Sequence, residues 1–153
     1  MSAEERLQAL GIVLPAAPVP AGLYAPATRT GPLLFVSGQV PMADGQPMRR
    51  GKLGESVTVE EGSTLARQCA LQALAIVRAH AGSLDRVVRV VRTAGYVASA
   101  EAFIGHPAVV NGASQLLIDV FGEAGRSARI AIGVGELPLG VPVEVEFLFE
   151  LSA

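Results

Sequence analysis

Arg129-Ile130-Ala131-Ile132-Gly133-Val134-Gly135-Glu136-Leu137-Pro138-Leu139-Gly140-Val141-Pro142-Val143-Glu144-Val145-Glu146 contains one strand, a break and the start of a second strand. The first is predicted from about Ala128 to Val134 and opens with an arginine. The second runs from Val143 to about Leu151. It alternates Glu144, Glu146, Leu148 and Glu150 against Val143, Val145, Phe147, Phe149 and Leu151. A period of two with one apolar set is the pattern of a strand lying on a core. Leu137-Pro138-Leu139-Gly140 interrupts the ladder between the two. With Arg129 near the start of one strand and Glu144 near the start of the other, the two can meet across the sheet. The simplest reading of that pair is a cross-strand ion pair, an interaction that is weak when exposed.

Outward from this stretch, the composition sets bounds. The chain has 153 residues, half of them hydrophobic and 17% charged, with a formal net charge of -2. That length suits one domain with a sizeable core. The acidic balance argues against a general nucleic-acid or membrane-surface binder. The chain has no Trp, which leaves few aromatic surfaces for stacking bases. A single cysteine, Cys69, excludes an internal disulfide, and two histidines make a zinc site unlikely. Met1-Ser2-Ala3-Glu4-Glu5-Arg6-Leu7 is charged and unlike a signal peptide, and no charge-free run reaches membrane-spanning length. A cytoplasmic location is the expectation. The high apolar content also hints at a buried interface between subunits.

In chain order, residues 3 to 10 suit a short helix with Leu7 and Leu10 on one side. Pro15, Pro18 and Pro20 then impose an extended connector, so 1–20 reads as a helix plus proline-rich connector and 21–153 as the domain proper. Strands are expected over Leu23–Thr28 and Leu33–Val40, separated by the Gly31-Pro32 turn. Met48-Arg49-Arg50-Gly51-Lys52 reads as a solvated basic loop. A long helix follows, capped by Ser56 or Thr58 with Glu60 and Glu61 in its first turn, where the helix dipole favours anions. Cys69 lies within its apolar stripe and reads as a buried structural thiol. His80 ends that helix. Arg86 to Val97 is valine-rich and reads as a strand in which Arg89 faces opposite to Arg86 and Arg92. A second helix is expected from about Pro107 to Phe121, with His106 just before it. The order strand, strand, helix, strand, helix, strand, strand is α+β: a mixed or antiparallel sheet with two helices on one face.

The spacing Arg129-x8-Pro138-x5-Glu144-x-Glu146 resembles the C-terminal signature of the RidA/YjgF family, the reactive intermediate deaminases formerly called L-PSP endoribonucleases. Pro20-Ala21-Gly22-Leu23-Tyr24 is similar to that family's Gly-x-Tyr segment. Leu34-Phe35-Val36-Ser37-Gly38-Gln39-Val40-Pro41 is similar to its Ser-Gly-Gln-hydrophobic-Pro strand. The likeness runs from about Ala21 to Glu150. It implies a chorismate-mutase-like fold and a homotrimer with ligand clefts between subunits.

The resemblance also implies roles. Arg129 would bind a substrate carboxylate through its planar two-point fork. Glu144 would position or activate water for imine hydrolysis, and Tyr24, Ser37 and Asn111 would line the same cleft. The implied reaction converts a 2-imino acid and water to a 2-oxo acid and ammonia. It needs no cofactor or metal, because an iminium carbon is already electrophilic. The alternative is a non-catalytic protein that binds small carboxylates in the same cleft. The sequence departs from the pattern at Ala131, where many members carry cysteine, at Ser114, often Tyr, and in a longer Tyr96–Asn111 segment. Arg126 is a rival to Arg129, but the spacing to Pro138 favours Arg129.

Overall fold

The alternating segment Val143–Leu151 (β7) is the central strand of a five-stranded sheet in the computed structural model, which describes every residue from Met1 to Ala153. Its neighbours are β1 (Ala27–Thr30), β2 (Leu33–Gln39), β5 (Val87–Ala98) and β6 (Ala128–Val134), in the order β1-β2-β7-β5-β6. All pairings are antiparallel except β5 with β6. A small hairpin, β3 (Met42–Ala43) and β4 (Gln46–Pro47), stands apart. Val143, Val145, Phe147, Phe149 and Leu151 are all buried, and the residues between them are half-exposed. The apolar row faces α2 (Val59–Ala81), against which α3 (His106–Phe121) packs. This is the mixed α+β domain with two helices on one face that the sequence order implies.

Local signals fix the helices. Thr58 Oγ1 accepts from the Glu61 amide at 3.1 Å, and the Glu61 carboxylate accepts from the Thr58 amide at 2.8 Å. This reciprocal box starts α2, and Gly82 ends it in the left-handed region at φ 82°. Cys69 is fully buried, and desolvation pushes its thiol pKa far up, so it is inert packing. The parallel β5–β6 pair needs a crossover, which α3 supplies. Where α3 meets α2 the backbones touch: a Cβ on Gly112 would overlap the Ser63 carbonyl. A short helix, α1 (Ala3–Ala9), folds back on this body. Its Leu7 is buried in the core, and Glu4 accepts from Arg78 and from the Leu84 amide. No helix is long and apolar enough to cross a membrane.

Two expectations need correction. The first strand is Ala27–Thr30 rather than Leu23–Thr28. Leu23 and Tyr24 lie in an exposed bend between Pro20 and Pro26, prolines that supply no amide to a ladder. In β5, register shifts between Val87 and Arg89 and between Val90 and Arg92 change the alternation. Arg89 pairs opposite Glu150 and Arg92 opposite Leu148, so both arginines share the open face instead of opposing each other. Arg89 reaches Glu150 there at 3.3 Å. The same open face exposes Phe35, Ile130 and Ile132.

The β6–β7 connection must pass back beyond β5 to insert β7 beside β2. The basic loop holds it: Lys52 pairs with Glu136 at 2.9 Å, Arg50 Nε donates to the Leu139 carbonyl at 3.0 Å, and the Gly51 amide donates to Gly140 at 3.1 Å. Because the α2–α3 contact is backbone against backbone, Gly112→Ala should destabilise the fold by about 1–3 kcal/mol. Gly135→Ala, whose Cβ meets nothing within 4 Å, should stay within about 0.5 kcal/mol of wild type. Urea unfolding of the two variants checks both.

Candidate functional site

Arg129 is the second residue of β6, an edge strand, and pairs opposite Thr93 on the helix-facing side. Its side chain therefore runs to α3. Nη1 donates to Asn111 Oδ1 at 2.8 Å and to Ser114 Oγ at 3.2 Å, and Nη2 donates to the Pro107 carbonyl at 3.5 Å. Asn111 and Ser114 are three apart on the helix and so share a face. All three acceptors are neutral. They orient the guanidinium without cancelling its charge.

Glu144 is the second residue of β7 and pairs opposite Tyr96 on the open face of the sheet. It is half-buried, and Gly38 lies directly against it: a Cβ on Gly38 would overlap Glu144 Oε1. Burial, and then the Glu146 charge on the same face, raise the Glu144 pKa above the usual carboxylate range. The Tyr96 hydroxyl donates to Glu146 Oε1 at 3.3 Å, and its own pKa is raised by burial first and by Glu146 second.

Ser37 and Tyr24 belong to the Glu144 end. Ser37 Oγ donates to the Ala25 carbonyl at 2.6 Å, and the Ser37 amide donates to Pro26 at 3.0 Å, tying the Tyr24 bend to β2. An irregularity in β2 between Val36 and Gln39 turns Ser37 and Gly38 out of the regular ladder. Tyr24 and Gly38 share a cavity of about 130 Å³ with Pro18, Pro20 and Leu139.

The five residues singled out by the sequence thus form two groups, Tyr24, Ser37 and Glu144 in one and Arg129 with Asn111 in the other. The expected Arg129–Glu144 ion pair does not exist. β5 stands between β6 and β7, and the two side chains leave opposite faces of the sheet. Two strand spacings and three residues along the strand put their Cα atoms about 14 Å apart. The sequence reading also passed over Ser114 as an acceptor for Arg129, although its three-residue spacing from Asn111 carries that signal. It likewise passed over Gly38 as the residue that admits the Glu144 carboxylate. Arg126 lies elsewhere, with its Nε donating to Glu123 at 2.9 Å. His106 is in the first turn of α3, with its Nε2 3.0 Å from Ser99 Oγ and its ring edge-on to Phe103. No three His, Cys, Asp or Glu side chains converge in a way that would hold a metal ion.

A mixed sheet with two helices on one face, an arginine held at its edge and a half-buried glutamate on its open face define a chorismate-mutase-like α+β domain. Residues 4–151 match the family model described as "YjgF/chorismate_mutase-like, putative endoribonuclease". The chain belongs to the YjgF/RidA family. It is 49% identical over 147 residues to Protein TCP17 of Trypanosoma cruzi, a match covering 95% of this chain and 92% of that protein. Among solved structures, it resembles Atu1372 of Agrobacterium tumefaciens, a protein of unknown function, with TM-score 0.89, 39% identity and coverage of 99% and 93%. A Shewanella oneidensis protein under the same endoribonuclease label gives TM-score 0.94, 35% identity and coverage of 99% and 100%.

The raised Glu144 pKa has a consequence for stability. The folded state prefers the protonated acid, so stability is greatest below the ordinary carboxylate pKa and falls as pH rises through the raised value. Glu144→Gln keeps the neutral shape at every pH. At pH 7 its urea midpoint should equal or exceed that of wild type, and any excess should vanish by about pH 4. A variant less stable than wild type at pH 7 would contradict a desolvated, unpaired carboxylate.

Proposed function

We propose that this chain hydrolyses imine intermediates derived from amino acids, converting a 2-imino acid and water to a 2-oxo acid and ammonia. The observation that carries this reading is the Arg129 guanidinium, oriented by three neutral acceptors and paired with no acid. Such a group suits a substrate carboxylate, which it meets with two parallel charge-assisted hydrogen bonds. Glu144, whose pKa is raised toward neutrality, suits the general base. It takes a proton from water as the oxygen attacks the C=N carbon. With the substrate as its iminium, Glu144 returns that proton to the nitrogen of the tetrahedral carbinolamine, and as the C–N bond breaks the carbinol hydroxyl gives its proton to Glu144, releasing the 2-oxo acid and ammonia. Tyr24, Ser37 and Asn111 line the cleft in this reading.

A 2-imino acid is only a few ångströms long, far shorter than the separation of Arg129 from Glu144 within one chain. The reading therefore takes the two residues from neighbouring copies in a homotrimer. The exposed Phe35, Ile130 and Ile132 on the open face support such an assembly. Ala131, a methyl where many family members carry a thiol, favours the second reading, a carboxylate-binding protein without turnover.

Light scattering should give a particle of about three times the 15.8 kDa chain. A stable monomer at micromolar concentration would count heavily against the shared cleft. Arg129→Lys keeps the charge but loses the fork, so calorimetry should show 2-oxobutyrate binding weakened at least about tenfold, roughly 1.4 kcal/mol. Glu144→Gln should keep that binding and slow ammonia release from freshly generated 2-iminopropionate about a hundredfold. Wild-type turnover in Glu144→Gln would transfer the base role elsewhere. Binding with no ammonia release from the wild-type protein would leave the second reading.

A further inference from the structure

Arg67 and Arg126 take no part in that chemistry, yet they line one groove. It lies between α2 and α3 and has a volume of about 520 Å³. Ser63, Thr64 and Arg67 come from α2, Asn111 and Ser114 from α3, and Arg126 from beyond the α3 C-terminus. The volume is that of an ordinary small-molecule site, but such sites are lined mostly by hydrophobic residues, whereas here few of the lining residues are hydrophobic. No carboxylate lines it. The wall carries two guanidiniums, of which Arg126 is paired with Glu123 outside the lining and Arg67 is paired with no acid.

Both guanidiniums have free hydrogen-bonding capacity. The ion pairs of the chain involve Arg49, Lys52, Arg78, Arg89 and Arg126, and none involves half-buried Arg67. Arg126 meets Glu123 through Nε alone, which leaves both of its Nη groups to the groove. The neighbouring polar groups present donors as well. Arg129 occupies Asn111 Oδ1 and Ser114 Oγ as acceptors, so the amide nitrogen of Asn111 and the hydroxyl proton of Ser114 remain to donate. Thr64 differs, because its hydroxyl already donates to the Glu60 carbonyl. A wall of donors around two forked cations fits a multiply charged group rich in oxygen, and guanidinium forks match phosphate geometry. The overall charge of -2 disfavours a nucleic-acid polyanion and points to a small ligand.

We propose that the α2–α3 groove is a second anion site, adjoining Arg129 through Asn111 and Ser114, where Arg67 and Arg126 bind a small phosphorylated molecule. The site does not depend on imine hydrolysis. Ammonia release can fail with the groove intact, and the groove can fail with ammonia release intact.

Pyrophosphate and inorganic phosphate, titrated by calorimetry at constant ionic strength against a sodium chloride blank, test it. Wild type should bind pyrophosphate saturably, one per chain. Arg67→Gln and Arg126→Gln should each weaken it at least about tenfold, with an unchanged circular dichroism spectrum. Arg67→Lys keeps the charge and the packing, so it serves if Arg67→Gln does not fold; losing the fork, it should still weaken binding severalfold. Arg89→Gln, which removes an arginine from the open face of the sheet, should bind pyrophosphate within about threefold of wild type, a change of under about 1 kcal/mol. The proposal is overturned by a lack of saturable binding or by full affinity in Arg67→Gln and Arg67→Lys. It is equally overturned if Arg89→Gln loses as much affinity as Arg67→Gln, for binding would then follow the overall charge and not the groove.

Discussion

The structure depends first on the two-sidedness of β7. Val143, Val145, Phe147, Phe149 and Leu151 all go into the core, and each large apolar side chain buried there contributes about 1.5–3 kcal/mol. A slip of one residue would turn all five outward and drive Glu144, Glu146 and Glu150 into the apolar layer under the helices. The position of Glu144 is thus dictated by its neighbours. It sits between two buried valines, faces away from the core and has no local freedom to move elsewhere. The unfavourable desolvation of its carboxylate is carried by the hydrophobic row on either side of it.

What was readable in the sequence follows from what is local. The period of two in Val143–Leu151, the Thr58–Glu61 capping box and Pro107 at the start of α3 each act over a few residues, and each element lies where its signal put it. Strand neighbours are not local. Nothing in the spacing of Arg129 and Glu144 reveals that β5, which precedes both in the chain, lies between them. The valine run of β5 likewise hides two irregularities that bring Arg89 and Arg92 to one face, since a bulge depends on the partner strand as much as on its own residues. The Tyr24 segment reads as a strand when Pro20 is taken to end the connector, but Pro26 within it supplies no amide to a ladder.

The same division applies to the candidate site. Residue identities came from motif spacing, and surroundings came only from the fold. Ser114 looked like a departure from pattern, yet its hydroxyl oxygen accepts a hydrogen bond from Arg129 on the same helical face as Asn111. Gly38 looked like one letter of a strand motif, yet it is the space the Glu144 carboxylate occupies. Opposite charges that stay apart, each unpaired within its own chain, are uncommon in a small domain whose other cations largely find acids or carbonyls. Arg129 and Glu144 are held in that condition by β5 between them.

The Gly38–Glu144 contact also constrains how relatives of this chain diverge. A side chain at position 38 would displace the Glu144 carboxylate from the place it holds here, so the two sites do not drift independently. Alanine at 38 is accommodated by turning that carboxylate aside or by shortening residue 144. The order of substitutions matters, because two contacting positions are non-additive by the energy of their overlap. A lineage that abandons the acid and fills the space at 38 regains a glutamate only with its carboxylate turned elsewhere, away from the position it holds here.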